Sequence, residues 1–359
     1  MPLSSTGPIS FANLQTEFGG SNPISLSEYY AGGDYVNTGV FGKNGFIPAS
    51  SAELPISRFY GSFTPRAIFA GGNTDSVAGN SVGTIDFSIF STGGTAASFG
   101  SLTQVRTWPS SGVASSTRAV FAGGRNSNSG VLYSTIDYVT ILTIANAAGF
   151  GSLTDTRFGV TGASSSTRGI FAGGQNSAAN VSAIDYITIA TTSNAAGFGG
   201  VLTSARRNQG SGASSTRAVF AGGFSGIIDY VTIATTGNAA AFGNLTLGRV
   251  FLTGGSSSTR AVFGGGDSSN TIALIDYVTI ATTGNAAAFG NLNSPRVSMA
   301  GAASATKVLF AGGGSLSFVY TNVVEQVTIT TAANSTSFGN LSQVRLGPAG
   351  ASSNHGGLY

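Results

Sequence analysis

The sequence predicts an all-β fold, a six-bladed β-propeller preceded by a small, partly helical module. Two observations carry most of that prediction. First, a short apolar run closed by a double glycine occurs six times, at residues 66–72 (R-A-I-F-A-G-G), 118–124, 168–174 (R-G-I-F-A-G-G), 217–223, 260–266 (R-A-V-F-G-G-G) and 307–313 (K-V-L-F-A-G-G). Successive copies begin 52, 50, 49, 43 and 47 residues apart, a period expected of stacked supersecondary units. Second, of 359 residues 54 are Gly and only 8% are charged. Small polar residues must therefore keep the surface wet, and the Glu, Lys and Leu of long helices are scarce. A chain of this length exceeds one ordinary core, which again favours an array or two domains.

Residues 1–62 read differently from the rest. Pro8-Ile9-Ser10, Pro23-Ile24-Ser25 and Pro55-Ile56-Ser57 repeat a tripeptide. Ser10 before F-A-N-L-Q-T-E-F, and Ser25 before L-S-E-Y-Y, are natural N-caps. Gly19-Gly20 and Gly32-Gly33 then stop the two segments. On a helix, Phe11, Leu14 and Phe18 share one face. The expected content is two short helices, an irregular Gly-rich stretch over 31–50 and a helical turn at 57–60. So small a module buries little alone. Its aromatics either pack on one another or on the propeller, or Phe11, Leu14, Phe18, Tyr29 and Tyr30 dock it onto another subunit.

From residue 66 each unit repeats one plan. The first strand ends in the double glycine, and a variable loop leads to I-D-Y-V-T-I at 136–141, 184–189 (I-D-Y-I-T-I), 228–233 and 275–280, degenerate at 84–90 and 324–329. Its β-branched and aromatic content makes a strand, apolar on both faces as one sandwiched between neighbours would be. A-T-T-G-N at 234–238 and 281–285 follows, and Gly-Asn there signals a hairpin turn. The next strand, A-A-A-F-G-N-L, ends near a second arginine: Arg106, Arg157, Arg206, Arg249, Arg296 or Arg345. A fourth strand is expected to run from that arginine to G-A-S-S. Four antiparallel strands, six times over, make a β-propeller.

Such a ring has to close, because an open fan exposes sheet edges. Residues 350–359 (G-A-S-S-N-H-G-G-L-Y) align with 162–171 (G-A-S-S-S-T-R-G-I-F). A strand over about 344–351 therefore has no downstream repeat to join, while the first unit lacks a strand ahead of Arg66. The C-terminal strand is expected to complete the first blade, giving a propeller over 63–359. Truncation at Gln343 would open it.

Chemistry is sparse. Beyond residue 65, the charged side chains fall mainly at three repeat positions: the strand-start Arg or Lys, the second Arg, and an acid (Asp86, Asp137, Asp185, Asp229, Asp276, Glu325). A residue repeated in every blade serves every blade, so these read as internal ion pairs or bonds to loop backbone. The alternative is an axial ring of charge lining a channel. Asp75, Arg125, Asp155, Arg207 and Asp267 lie outside the pattern, and no two are spaced as an acid/base dyad. Cysteine is absent and His355 is the one histidine, so neither a usual zinc site nor a Ser-His-Asp triad is expected. The expectation is a protein that is not an enzyme, with no cofactor and no metal. The net charge is +3 and the arginines are dispersed, which gives no nucleic-acid footprint. There is no signal-like N-terminus and no apolar run of membrane-spanning length, so membrane insertion and secretion through a signal peptide are not expected.

What varies between units is the loop after the double glycine. Variable loops on a rigid scaffold are where binding is usually placed. Tyr133, Phe224, Phe318, Tyr320, Arg125 and Asp267 are the candidate contacts on that face, among Asn and Ser, suited to a shallow glycan or protein surface. Drift in unconstrained loops would look the same.

Two resemblances attach to these residues. The double-glycine strand, the spaced aromatics and the closing arginine resemble the kelch repeat, with Phe99, Phe150, Phe198, Phe242, Phe289 and Phe338 standing where kelch units usually carry Trp. The opening, I-S-F-A-N-L-Q-T-E-F-G-G-S-N-P-I-S-L-S-E-Y-Y and later I-S-R-F-Y-G, resembles the N-terminal segment of structural proteins of tailed bacteriophages, notably cyanophages and other marine phages. It covers about the first 62 residues. That resemblance implies a kelch-like virion protein, made in the host cytoplasm and carried in the particle as a tail fibre or related part. Residues 1–62 would attach it to other virion proteins, and the propeller would meet a host cell-surface glycan or protein. Three alternatives stay open: an architectural capsid or neck decoration or connector, a polysaccharide-degrading tail enzyme, and assembly as a homo-oligomer.

Overall fold

The structure, a computed structural model, describes residues 11–18, 41–42, 45–46, 64–75, 80–108, 111–317 and 319–358. The chain divides into two compact units, Met1–Arg66 with Ile89–Thr92, and Ala67–Ser88 with Gly93–Tyr359. In the first unit the expected helix is present over Phe11–Phe18. The second helix, the turn at 57–60, Tyr29, Tyr30 and the side chains of Phe11, Leu14 and Phe18 lie outside the described residues. Within 31–50, expected to be irregular, Phe41–Gly42 and Gly45–Phe46 pair as antiparallel strands.

The second unit is a β-propeller of six four-stranded antiparallel blades. Blade 3 shows the plan, with an inner strand Thr161–Ser164, then Arg168–Ala172, Ala183–Thr188 and an outer strand Ala196–Val201. The ring closes as the repeat alignment requires. Ala349–Ser352 pairs with Arg66–Ala70, with Ala349 opposite Ala70 and Ser352 opposite Ala67, and so supplies the inner strand of blade 1. The inner strands are shorter than expected. Only residues such as Thr161–Ser164 extend the sheet, because the residues between the second arginine and that strand turn onto the propeller axis instead.

The apolar core lies between blades. Ile170, Phe198 and Leu202 of blade 3 pack with Phe220, Val231 and Ile233 of blade 4. The outer-strand phenylalanine stands edge-on to the ring of the I-D-Y strand, as in Tyr186 and Phe198, whose centroids are 6.1 Å apart. Blades are also tied by polar bonds, each drawn from a repeated residue. The strand-start Arg118 stacks on Tyr138 of its own blade, 4.3 Å from the ring centroid, and donates to Ile189 O of the next blade at 2.8 Å. Arg168, Arg217 and Arg260 repeat both contacts.

The expected hairpin turn at T-T-G-N does more than reverse the chain. Asn238 Oδ1 accepts from Val201 N–H of the preceding blade at 3.1 Å, and Asn146, Asn194, Asn285 and Asn334 act likewise. Thr95 replaces this asparagine in blade 1, and there Gly94–Thr95 joins the outer strand of blade 6 by backbone pairing.

The second arginines and the acids form internal ion pairs from blade to blade. The pairs are Arg106–Asp137 (2.9 Å), Arg157–Asp185 (2.5 Å), Arg206–Asp229 (2.6 Å), Arg249–Asp276 (2.8 Å), Arg296–Glu325 (2.8 Å) and, across the closure, Arg345–Asp86. All are buried. The carboxylate is saturated further by the preceding blade, since Thr154 N–H and Oγ1–H both donate to Asp185, at 3.1 and 2.7 Å. The axial ring of charge is therefore replaced by inter-blade pairing.

The axis itself is lined by Gly, Ala and Ser, among them Gly112, Gly162, Gly212, Gly254, Gly301 and Gly350. Here the inner strands leave a cavity of only about 50 Å³, enough for a few waters. One end is stoppered by the chain's last residues. His355 Nε2–H donates to Ala114 O at 2.9 Å and its Nδ1 accepts from Gly357 N–H at 3.2 Å, while Gly356–Leu358 forms a 3₁₀ turn. Burial pushes the His355 pKa down, against the hydrogen bond to Ala114, which raises it.

Candidate binding site

The other end of the axis is built from the three residues that follow each second arginine. The second of them is Trp108, Gly159, Asn208, Phe251, Ser298 or Gly347. All six have positive φ, between 46° and 65°. That left-handed turn brings their amides onto the axis, where they bond head to tail. Gly159 N–H donates to Trp108 O (3.2 Å), Asn208 to Gly159 (2.8 Å), Phe251 to Asn208 (3.0 Å), Ser298 to Phe251 (2.8 Å), Gly347 to Ser298 (2.8 Å) and Trp108 to Gly347 (2.9 Å). The circle of bonds is complete. Glycine takes such a φ without strain, whereas Trp108, Asn208, Phe251 and Ser298 take it at a cost of order 1–3 kcal/mol each. Such strain persists only where the surrounding structure over-determines it, as the closed circle does here.

Around this circle lies the residue after each double glycine: Asn73, Arg125, Gln175, Phe224, Asp267 or Gly314. Backbone bridges hold five of these to the preceding connection, as in Thr107 with Arg125 and Phe158 with Gln175. The scaffold is close to six-fold here, but its side chains are not. From blade 2 to the start of blade 5 aromatic and cationic side chains predominate, with Gln175 and Asn208 between them. The Arg125 guanidinium lies 4.5 Å from the Trp108 ring centroid and 4.9 Å from that of Phe158. Arg207 lies 5.3 Å from the rings of both Phe158 and Phe224. Phe224 meets Phe251 edge-on at 6.4 Å, and Phe251 meets Trp108 at 6.4 Å. The Trp108 indole covers Gly347, where any Cβ would overlap it, and Nε1–H donates to Ser298 Oγ at 3.3 Å. Trp108 thus reaches across the axis toward Ser298 and Phe251, and a cavity of about 40 Å³ at this end is lined by Gly159, Asn208, Phe251, Ser298 and Gly347 of the same circle.

Electrostatically the two arginines are unlike the rest. Among the described residues neither guanidinium makes an ion pair or a hydrogen bond. The Nε of each is buried without a partner, as are Gln175 Oε1, Asn208 Nδ2, Gln209 Oε1 and Asp267 Oδ1 at the same end of the axis. Burial lowers the pKa of Arg125, and the charge of Arg207 lowers it further; burial alone lowers that of Arg207. Both stay charged at neutral pH.

Of the residues expected on this face, the structure brings Arg125 and Phe224 together and sets Asp267 at the next position of the same register. Phe224 is 56% exposed, with φ 74°. Tyr133 is not part of the group. It sits at the far end of its loop, donating to Gly124 O and accepting from Arg157 N–H. Tyr320 bridges to Gly314 in blade 6, and burial followed by the charge of Asp75 raises its pKa. Phe318 lies outside the described residues. Trp108, Phe158, Arg207 and Phe251 complete the cluster and were not expected in it. Their signal lies in comparing the residues after each second arginine: T-W, F-G, R-N, V-F, V-S and L-G.

Among the described residues, no three His, Cys, Asp or Glu side chains group as metal ligands, and no helix is long and apolar enough to cross a membrane. No protein-family model and no curated protein matches the chain.

Proposed function

We propose that this chain is a structural protein of a tailed-bacteriophage virion, attached through residues 1–62 and presenting one propeller face to the host surface. The observation that carries the binding half of this reading is where the six-fold repeat breaks. One face carries near-constant S-S-S-T turns, in which Ser165 and its counterparts bond the strand-start residue alike, and it is stoppered by the C-terminus. The opposite face carries the variable loops and the aromatic and cationic cluster. Fixed structure needs no such asymmetry, whereas a contact surface does. The virion half rests on the resemblance of the opening residues. Binding rather than catalysis is the reading because the repeated charged groups are occupied in inter-blade pairs, and Asp155 bonds Thr156 N–H and Asn176.

Immunogold labelling of purified particles tests the assignment. Label on the particle, most simply on the tail, is expected; label confined to the soluble fraction of infected cells would overturn it. Exchanging the loops after the double glycines between blades then separates the roles. Lost adsorption is expected, and unchanged infectivity would instead favour a decoration or connector.

A further inference from the structure

We infer that the aromatic and cationic cluster at the axial mouth is a binding site for an anionic saccharide, one whose sugar rings carry carboxylate or phosphate groups. The inference rests on the receptor-binding reading above and names the ligand class of that face. Two half-buried guanidiniums with no acid against them, and with Arg207 disfavouring the charge of Arg125, are an unusual choice in a chain that pairs its second arginines with acids. Holding two like charges together without a counterion is unfavourable, and an anion entering the site relieves it. Arginine suits that role, since its planar fork meets carboxylate and phosphate with paired N–H donors.

The rings decide between classes of anion. Arg125 is stacked on Trp108 and Phe158, and Arg207 on Phe158 and Phe224, which fixes their planes and leaves the terminal nitrogens, unlike Nε, outside the buried unpartnered set. Phe224 is largely exposed, and the half-buried Trp108 and Phe251 lie beside it. An alternation of flat apolar faces with cationic edges matches a chain of pyranose rings, each with an apolar face and an acidic substituent. The cavity at the circle of backbone bonds, about 40 Å³, is too small for a sugar ring, so the ligand lies across the mouth.

The test uses the chain's single tryptophan, which stands inside the proposed site. The intact protein is titrated with trigalacturonate, with a phosphorylated mannotriose and with the neutral galactotriose and mannotriose, while Trp108 fluorescence is followed. A saturable response to one or both acidic sugars is expected, and the stronger responder identifies carboxylate or phosphate as the recognised group. Neutral sugars should give at least tenfold weaker binding, and added salt should weaken the acidic response. The R125Q/R207Q variant should lose at least tenfold in affinity with an unchanged melting temperature, and R125K/R207K should recover only part. If the glutamine variant melts early, the salt dependence and the neutral-sugar comparison on the native protein decide. Silence toward both acidic sugars, equal response to neutral sugars, or equal response to a heptaglutamate peptide would overturn the inference. Labelled particles with a silent Trp108 would remove this site and leave the virion assignment standing. A responsive Trp108 in a protein absent from particles would do the reverse.

Discussion

Asp137 illustrates how the few charges are used. Its carboxylate receives Arg106 of the previous connection at 2.9 Å and both the N–H and hydroxyl of Thr103, at 3.1 and 2.6 Å. Three donors from one connection thus meet one side chain of the next blade, and Arg106 Nη1 adds a bond to the backbone of the same strand at Thr135 O, 3.3 Å away. Removing one partner leaves a buried charge uncompensated. The D137A variant should lose about 3–5 kcal/mol in urea denaturation, and R106L/D137L should regain much of it; a D137A protein of native stability would show the pair to be idle. This role was legible because the arginine and the acid recur in every unit. The roles of Trp108 and Phe251 were not. Each occurs once at its register, and nothing local marks a residue whose backbone is bent onto the axis by its neighbours.

At the scale of the element, the inner strand is limited by crowding. A Cβ on Gly162 would overlap Ser111 O, just ahead of the adjacent inner strand Val113–Ala114, and Val113 within it, whereas one on Gly149 in the strand Ala148–Ser152 would meet nothing within 4 Å. G162A should therefore destabilise the protein by about 1–3 kcal/mol. G149A should be neutral to stabilising by about 0.4–1 kcal/mol through the unfolded chain. Denaturant midpoints of the two variants moving together would contradict this account of the axis. Strand order and closure could be read from spacing alone, since I-D-Y-V-T-I and G-A-S-S each carry their own pattern. The inner-strand length could not, because the three residues after Arg157 leave the sheet for a ring of bonds that exists only once all the blades are assembled. The second function of Asn238 escaped for a similar reason. Gly-Asn is a turn signal whichever neighbour the side chain later meets.

For the molecule as a whole, the stopper at the axis makes stability depend on pH. His355 is held neutral in the fold, with its pKa below the ordinary 6.5, because burial disfavours the charge and both ring nitrogens are committed. The unfolded chain takes up a proton as pH falls through that ordinary value while the folded one does not. The contribution is therefore complete above about pH 6.5 and is lost on acidification, at up to about 1.4 kcal/mol per pH unit. His355 is the one histidine in the chain, and burial raises the pKa of Glu17 toward the same window with the opposite sign, so the part of the slope between about pH 5 and 6.5 that belongs to His355 is the part its replacement removes. H355Q should flatten that slope, and an unaltered slope would place the titration elsewhere.

The pairing of Ala349–Ser352 with Arg66–Ala70 also bears on biosynthesis. A strand that leaves the ribosome early must wait for a partner translated some 280 residues later, which at ordinary elongation rates is roughly 15–60 s. Throughout that interval the nascent chain carries an unsatisfied sheet edge near its beginning, so the cell must shield it or outpace its aggregation before the last residues arrive.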